Sequence, residues 1–370
     1  MSAWAPLVPY AKARADMDAG QLGLLLLCLG IGSMVSMPVT GTLAARYGCR
    51  RAIFLSCMLA CLVLPLLAVL STPLSLAVAL FVFGASIGTM DVAMNVQAVI
   101  VEKESGRTMM SGFHGLFSVG GIAGAGGMAL LLSLGMGPLA ASAVLAGVAA
   151  AAILVARPFL LSEPETGEGG GHNFVLPRGA VLLIGVMCFL AFLSEGAVLD
   201  WSAVLLATGH GMAEDRAGLG YAVFAAAMTL GRLTGDPVVR RLGGKRVLIA
   251  GGLCTALGFI TAVAAPSTGI ALIGFLLVGI GASNIVPVLF SAAGQQRDMP
   301  PGLAVSAIST LGYAGILAGP ALIGFAAHAL SLGAAFIGLG CAMLMIAASA
   351  PRFALGMKPG SVGAGQRDPV

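Results

Sequence analysis

Long apolar stretches separated by short polar connections occupy almost the whole chain. The stretches are continuous for about 20 residues, the length that an α-helix needs to cross a bilayer, and they lack the two-residue alternation of membrane β-strands. They predict spans at 21–45, 52–71, 75–101, 108–133, 138–159, 180–207, 217–239, 247–266, 268–293, 303–328 and 332–351. The pattern therefore predicts an all-α membrane protein with about eleven full transmembrane helices.

Composition supports this prediction. Of the 370 residues, 58% are hydrophobic and 9% are charged, and the mean hydropathy is +1.01, which a water-soluble surface would not tolerate. The net charge of +4 needs no nucleic acid to explain it. Neither the seven cysteines nor the four histidines have the spacing of metal ligands. We expect a monomer in the lipid bilayer, with no metal, no cofactor and no nucleic-acid partner.

The longest connection between spans, at 160–179, is rich in glycine and acidic residues and is typical of a flexible linker. It predicts an N-terminal helical bundle at 1–159, a C-terminal helical bundle at 180–352 and a tail at 353–370. If the linker lies in the cytoplasm, 15 of the 19 basic residues fall on the same side of the membrane, as the positive-inside rule requires. The linker and the tail are therefore expected to be cytoplasmic.

The two halves look like copies of each other. Three short motifs recur in the same order at nearly constant offsets of 195, 193 and 194 residues, namely RYGCRR at 46–51 with RLGGKR at 241–246, GTMD at 88–91 with GASN at 281–284, and GGI at 120–122 with AGI at 314–316. Many transporter folds are built from such internal repeats. The sequence thus predicts two six-helix bundles related by a pseudo-twofold repeat.

The repeat also reveals a deficit in the first half. The second half uses 63 residues, over 178–241, to reach its basic loop, whereas the first half uses 45, over 1–46. About 18 residues, most of one helix, are missing from the first half. Trp4 would match Trp201 and place Met1 near the outer end of a first helix whose body is absent. We expect a truncation or a misassigned start codon; a chain that begins here with its N terminus outside is the alternative.

Two six-helix halves, a cytoplasmic linker and a basic loop after the second helix of each half resemble the major facilitator superfamily. GTLAARYGCRR at 41–51 and, more weakly, GDPVVRRLGGKR at 235–246 are similar to the loop motif of that family. The resemblance implies a gating loop made of Gly41, Arg46, Gly48, Arg50, Arg51, Asp236, Arg241, Lys245 and Arg246. Ala45 stands where the family usually has an aspartate that latches the inner gate, and Asp236 is expected to supply part of this latch.

Three further motifs resemble a bacterial subgroup of this superfamily. They are DVAMN at 91–95, SGFHGLFSVGG at 111–121 and EGAVLDWS at 195–202. The subgroup comprises largely uncharacterised inner-membrane proteins and includes a proposed rhizopine transporter. The resemblance implies a multi-pass protein of the bacterial inner (plasma) membrane and does not identify a substrate.

Polar residues inside the spans are candidates for the substrate and proton pathway. Asp91 and Asn95 are four residues apart and share one face of the span at 75–101. This span is the fourth helix when the missing first helix is counted. An ionisable residue at that depth costs about 2.5–3.5 kcal/mol on insertion scales, so this face should line a water-filled cavity. In the resembling fold, helices one, four, seven and ten line the cavity, which implies the same role for Glu195 and Asp200 on seven and Asn284 on ten. Hydrogen bonding between helices or, for Asp200, an interfacial position is the alternative.

Two other polar residues have simpler alternatives. His114, two turns into the predicted fifth helix, titrates near neutral pH and is a candidate for a proton relay with Asp91; helix packing is the alternative and is slightly favoured. Arg232 and Asp236 are four residues apart, and we expect them to form an ion pair on one helix. Substrate binding by Arg232 is the less favoured hypothesis.

Two glycine-containing motifs suggest functions that their context excludes. GASIG at 84–88 matches the nucleophile pattern of hydrolases, but it lies inside an apolar helix with no strand before it, so we do not expect an enzyme. GGIAGAGG at 120–127 does not reach water as a phosphate loop must. Gly120 and Gly124 are instead expected to pack closely against another helix.

The sequence predicts a secondary active transporter that moves a small polar solute by alternating access. Symport of a sugar- or polyol-like metabolite with protons is favoured, because titratable acids occupy the predicted cavity and the chain has no nucleotide-binding segment. The small-molecule substrate and protons are thus the expected partners. A proton-coupled exporter of a metabolite or drug is an alternative that Met90 and Met94 keep open. A non-transporting membrane sensor or an inactive truncated product is the alternative from another class.

Overall fold

The structure, a computed structural model, describes residues 1–161 and 176–352. Most of the predicted linker and all of the predicted tail at 353–370 lie outside the described residues, so the division into domains stays a prediction. Every regular element in the described part is helical. This confirms the predicted all-α membrane fold.

The first half begins with short helices, a 3₁₀ helix at Ser2–Leu7 and α1 at Val8–Arg14. Five long apolar helices follow, namely α2 at Ala19–Tyr47, α3 at Cys49–Leu67, α4 at Pro73–Ser105, α5 at Met110–Ser133 and α6 at Pro138–Ala156. A 3₁₀ turn at Arg157–Phe159 ends this half.

The second half begins with α7 at Gly179–Val204, which continues as a π-helical turn at Leu205–Gly209. The remaining helices are α8 at Glu214–Ala217, α9 at Leu219–Leu233, α10 at Gly235–Leu242, α11 at Gly244–Ala264, α12 at Thr268–Ala282, α13 at Ile285–Gln295, α14 at Pro301–Ala329 and α15 at Leu332–Ser349, followed by a 3₁₀ turn at Ala350–Arg352. Ten helical segments of the described chain are long and apolar enough to cross a membrane. The one predicted span that is not among these ten, 217–239, is broken at Thr234 into α9 and α10.

The predicted repeat is visible in the backbone. Gly48, which ends α2, has φ 84° and ψ 149°, and Gly243, which ends α10 and lies 195 residues later, has φ 80° and ψ 148°. An L side chain rarely adopts a positive φ of this kind, so both basic loops need glycine at the same turn.

The core shows where the two halves meet. One cluster of buried apolar side chains belongs to the first half alone and extends from Ala3 to Ala146. The other combines the second half with first-half residues near the basic-loop end, including Met37, Ala44 and Val99. The halves therefore share a hydrophobic core at the end that carries the basic loops.

The N-terminal 3₁₀ helix packs where the outer end of a first helix is expected. The position of a Cβ on Gly124 of α5 lies 3.5 Å from the backbone nitrogen of Ala3, while Trp201 of α7 contacts the corresponding end of α14 at Gly324. The expectation of close helix packing at Gly120 is wrong, because no heavy atom lies within 4 Å of its Cβ position.

Candidate functional site

A buried ion pair lies in the second half. Arg232 of α9 donates from one terminal guanidinium nitrogen to both carboxylate oxygens of Glu195 on α7, at 3.0 and 3.3 Å. Its other nitrogens reach the Ser283 carbonyl at 3.3 Å and the Ser118 hydroxyl of α5 at 3.3 Å. The Arg232 and Glu195 side chains are only 9% and 16% exposed. The Arg232 guanidinium of α9 thus connects α7 and the Ser283 backbone, both in the second half, to α5 of the first half.

The predicted ion pair between Arg232 and Asp236 is therefore wrong. The expectation assumed one continuous helix, in which residues four apart lie on the same face. The structure ends α9 at Leu233 and starts α10 at Gly235. This break turns Asp236 away from Arg232 and toward the first half of the molecule.

Asp91 occupies the middle of α4 and is half-buried. The Asn95 amide donates to the Asp91 backbone carbonyl at 2.9 Å, so their predicted common face is used for a contact within the helix. The Asp91 carboxylate is close enough to Tyr313 of α14 for the two groups to interact electrostatically. The Tyr313 ring in turn lies 6.2 Å from the Phe192 ring of α7, measured between centroids. Asp91 therefore lies within electrostatic range of Tyr313 on a second-half helix.

His114 lies one helical turn after the start of α5 and packs beside second-half residues. Its ring centroid is 5.5 Å from that of Phe290 on α13, edge to face, and it is close enough to Arg232 for an electrostatic interaction. Its Nε2 is buried without a hydrogen-bond partner among the described residues. The structure shows no hydrogen bond between His114 and Asp91 in that part of the chain, and the relay between them stays a prediction.

The remaining pathway candidates separate. Asn284 lies at the break between α12 and α13, is buried, and donates to the Gly231 carbonyl at 3.1 Å and the Ser283 hydroxyl at 2.9 Å. It therefore lies one contact away from Arg232, since both side chains bind Ser283. Asp200, near the outer end of α7, is exposed, which agrees with the interfacial alternative.

Two carboxylates cap the N-terminus of α5. Asp236, from the second half, accepts hydrogen bonds from the backbone N–H groups of residues 111–112, both at 3.0 Å. Glu102, from the first half, accepts from the N–H groups of residues 109–110 at 2.8 and 2.9 Å. A helix leaves its first four N–H groups without partners, and its N-terminus carries a partial positive charge. Asp236 is therefore bound across the interface between the halves.

The corresponding contact on α14 has a different chemistry. Gly41 lies 195 residues before Asp236, at the same position of the repeat, and a Cβ there would be 2.8 Å from the Gly302 carbonyl oxygen and 2.9 Å from the Ser306 Cβ. The Ser306 hydroxyl donates to the Met37 carbonyl at 2.6 Å. Close packing of backbones therefore joins α2 to α14.

Among the described residues, no basic side chain of the predicted gating loops makes a contact with the opposite half. Arg50 donates to the Leu160 carbonyl at 2.8 Å, and the Arg46 guanidinium lies 5.1 Å from the centroid of the Tyr47 ring. The others are exposed, namely Arg51, Arg241, Lys245 and Arg246. Among the predicted gating residues, Gly41 and Asp236 are thus the two that contact the opposite half.

The sequence matches the family model of the Major Facilitator Superfamily over residues 1–212. The chain belongs to this superfamily. An uncharacterized MFS-type transporter of Yersinia pestis is 57% identical over 353 residues, which cover 95% of this chain and 91% of the relative. Membrane protein MosC of Rhizobium meliloti is 31% identical, with 91% of this chain and 82% of MosC covered. These relatives confirm the predicted family.

A solved structure confirms the fold. The E. coli fucose:proton symporter FucP superposes with a TM-score of 0.78 at 17% identity, covering 95% of this chain and 96% of the symporter chain. The protein is therefore a multi-pass membrane protein with the fold of the superfamily, and it belongs to a family of transporters.

Sequence reasoning missed several polar residues of the site. Ser118 lies within the motif at 111–121 but was not singled out there, Tyr313 lies in none of the quoted motifs, and Glu102 follows the end of a predicted span. Arg232 had a usable signal, since it is a basic residue seven positions inside a predicted span. A buried arginine needs an acidic partner, and Glu195 was available on a neighbouring helix.

Proposed function

We propose that the protein is a proton-coupled symporter that imports a small polar solute, sugar- or polyol-like, across the bacterial inner membrane by alternating access. The observation that supports it is a set of buried charged groups at the interface of the halves. Asp91 lies within electrostatic range of Tyr313 of the second half, and the Glu195–Arg232 pair reaches Ser118 of the first half. Charges at membrane depth are costly and mark substrate or ion pathways.

The two acids, Glu195 and Asp91, have different environments, and this difference supports different roles for them. Arg232 compensates the charge of Glu195 at 3.0 Å, which favours the ionised carboxylate. Asp91 has no cationic side chain within ion-pair distance among the described residues. Burial without compensation favours the neutral acid, so Asp91 is the hydrogen-ion site of this proposal. Its proton is released when rearrangement of the halves admits water.

The polar side chains around these acids suit a solute with several hydroxyl groups. Asn95 and Asn284 each offer amide donors and acceptors, and the Asn284 Oδ1 is buried without a partner among the described residues. The Tyr313 hydroxyl adds one more group of this kind near Asp91. The fold is shared with a fucose:proton symporter, which supports a sugar-like substrate and proton coupling.

The test uses the variant Asp91→Asn, which keeps the side-chain shape and resembles the protonated acid. A thermal-shift screen of sugars and polyols first identifies a ligand, since one present at 100 times its Kd stabilises by about 2.7 kcal/mol. In proteoliposomes we expect this variant to retain counterflow exchange but to lose uphill uptake and substrate-driven alkalinisation. Glu104→Gln, which removes an exposed acid from the same helix, is the matched control and should transport as the unmodified protein does.

Three outcomes of this experiment would contradict the assignment. Normal proton movement in Asp91→Asn would make Asp91 structural and transfer the role to Glu195. Outward movement of the solute driven by inward proton flow would indicate export. Solute movement without any proton movement in the unmodified protein would reject proton coupling.

Orientation is tested by labelling cysteines introduced singly at Ser71 and Gly169, in a background without the native cysteines. We propose that the basic-loop end is cytoplasmic, so an impermeant reagent should label the Ser71 position from outside intact cells and not the Gly169 position. Gly169 lies outside the described residues. The reverse labelling pattern would mean that the orientation is wrong.

A further inference from the structure

An apolar groove of about 550 Å³ lies on the outer surface of the first half, between α2, α3 and α4. Its walls include Leu55 and Leu59 of α3, Phe81 and Ala85 of α4, and Leu43 of α2. Leu55 is 65% exposed and Leu59 43%. Because these helices are membrane spans, the groove, hereafter the α2–α4 groove, opens toward lipid.

The α2–α4 groove has one charged end. Arg51, at the basic-loop end, also lines it, and Leu55 and Leu59 follow one and two turns further along the same face of α3. Eight residues of helix span about 12 Å. The groove thus joins a cation at the membrane surface to an apolar channel that runs about 12 Å toward the bilayer centre.

The Arg51 guanidinium is available for a ligand. It is exposed, and no hydrogen bond or ion pair engages it within the described part of the chain, whereas neighbouring Arg50 is bound to the Leu160 carbonyl. The Arg46 guanidinium lies close by, over the ring of Tyr47, which lines the same end of the groove. Ala45 supplies no acid to neutralise these charges. The end of the groove is therefore positive.

The corresponding helices of the second half pack more closely. A Cβ on Gly258 of α11 would lie 2.7 Å from the carbonyl oxygen of Gly274 on α12, and a Cβ on Gly281 would lie 2.7 Å from that of Gly251. In the first half, the offset of 193 places Phe81 at the position of Gly274. Phe81 lines the groove where the other repeat has a glycine, so the groove does not follow from the repeat.

We propose that the α2–α4 groove binds one acyl chain of an anionic phospholipid from the leaflet next to the basic loops, with the lipid phosphate on Arg51. The groove length of about 12 Å covers about four-fifths of one leaflet of a hydrocarbon core of about 30 Å, and its positive end lies at the end that carries the basic loops. A phosphate and a guanidinium form a strong charge-assisted contact. A helix of a second copy would cover the leucines but would bring no anion to Arg51.

The test is native mass spectrometry of the full-length protein titrated with dioleoyl-phosphatidylglycerol or dioleoyl-phosphatidylcholine. We expect one phosphatidylglycerol molecule to bind more tightly than phosphatidylcholine. Arg51→Ala should weaken that first binding event about tenfold, the size expected for losing one charge-assisted contact. Ala85→Phe, which fills the groove and leaves Arg51 in place, should weaken the binding of both lipids.

Arg246→Ala is the matched control, because it removes an exposed arginine from the same position of the other repeat. It should leave the first phosphatidylglycerol affinity unchanged, and an equal loss in both arginine variants would overturn the proposal in favour of general surface charge. Unchanged binding in Arg51→Ala and Ala85→Phe would overturn it as well. Competition by glycerol 3-phosphate, which has no acyl chain, would indicate a phosphate site, and a dimer mass that disappears in Ala85→Phe would indicate a second copy in the groove.

Discussion

The helices α5 and α14 occupy corresponding positions in the two halves, yet their surroundings differ. At its N-terminus, α5 is bound by the Asp236 carboxylate, whereas α14 packs against Gly41 with backbone contact. Further along, Gly120 of α5 faces open space, while Gly315 of α14 meets the Phe189 carbonyl of α7. The same position of the repeat thus makes a polar contact with α5, through Asp236, and a close packing contact with α14, through Gly41.

The difference indicates that the two contacts respond to different perturbations. An interaction between a carboxylate and a helix N-terminus depends on charge, whereas a close packing of backbones depends on volume. The N-terminus of α14 also has fewer backbone N–H groups that could donate to a carboxylate, because its N-cap is Pro300 and its first residue is Pro301. Charge and volume can therefore be varied separately at positions 236 and 41.

Gly41→Leu should have the largest effect. The backbone of α14 occupies the space of even a Cβ at Gly41, so the added side chain must separate the two halves. We expect loss of transport and a shift of about 5- to 150-fold away from the closed gate at the basic-loop end, corresponding to overpacking of about 1–3 kcal/mol. The distance between spin labels at Tyr47 of the first half and Arg297 of the second half measures whether this gate between the halves is open or closed. Gly23→Leu, on the same helix with nothing within 4 Å of the Cβ position, is the control that should change neither.

Supplying an apolar helix of about 20 residues ahead of Met1 should have the next largest effect, because the face of α5 around Gly120 lacks the partner that α14 has. We expect higher expression and transport and a Tm increase of several degrees, where about 2–4 °C corresponds to 1 kcal/mol.

Gly120→Leu sharpens this test. The substitution should be tolerated in the 370-residue chain, where the space is open, and should destabilise the extended chain. Equal transport and equal Tm of the two chains would show that α5 needs no partner.

Asp236→Asn should shift the gate by a smaller amount. It removes the charge that two backbone N–H groups of α5 share, which is worth about 1–2 kcal/mol in a partly buried site. The spin-label distribution should move toward the open inner gate about tenfold. Glu102→Gln is the matched control, since it weakens the same helix end from within the first half. It should lower the Tm without opening the gate, and identical distance changes in both variants would contradict a specific role of Asp236.

Ser306→Ala should give the smallest change. The lost hydrogen bond to the Met37 carbonyl contributes about 1 kcal/mol, so the gate should open about fivefold. Ser309→Ala on the same helix is the control, because the Ser309 hydroxyl is buried without a partner among the described residues and its removal should cost nothing. A larger effect at Ser309 than at Ser306 would be inconsistent with this account.

The sequence by itself determined the spans, the repeat and the turns between helices. These features are local, because about 20 consecutive apolar residues require a helix in lipid whatever surrounds them. The glycine turns at Gly48 and Gly243 are equally local, since a positive φ is a property of one residue. The resemblance of the loop motifs to the superfamily could also be read from neighbouring letters, and the family comparison confirmed it.

Only the tertiary structure decided which side chains meet. The pairing of Arg232 with Glu195 joins residues 37 apart. Asp236 is directed elsewhere because the helix breaks at Thr234, a feature that the continuous apolar pattern conceals. Asp236 reaches α5 across 125 residues for the same reason. The α2–α4 groove depends on the distance between packed helices, which the sizes of opposing side chains set jointly. Such contacts depend on several segments at once, so no pattern within one segment specifies them.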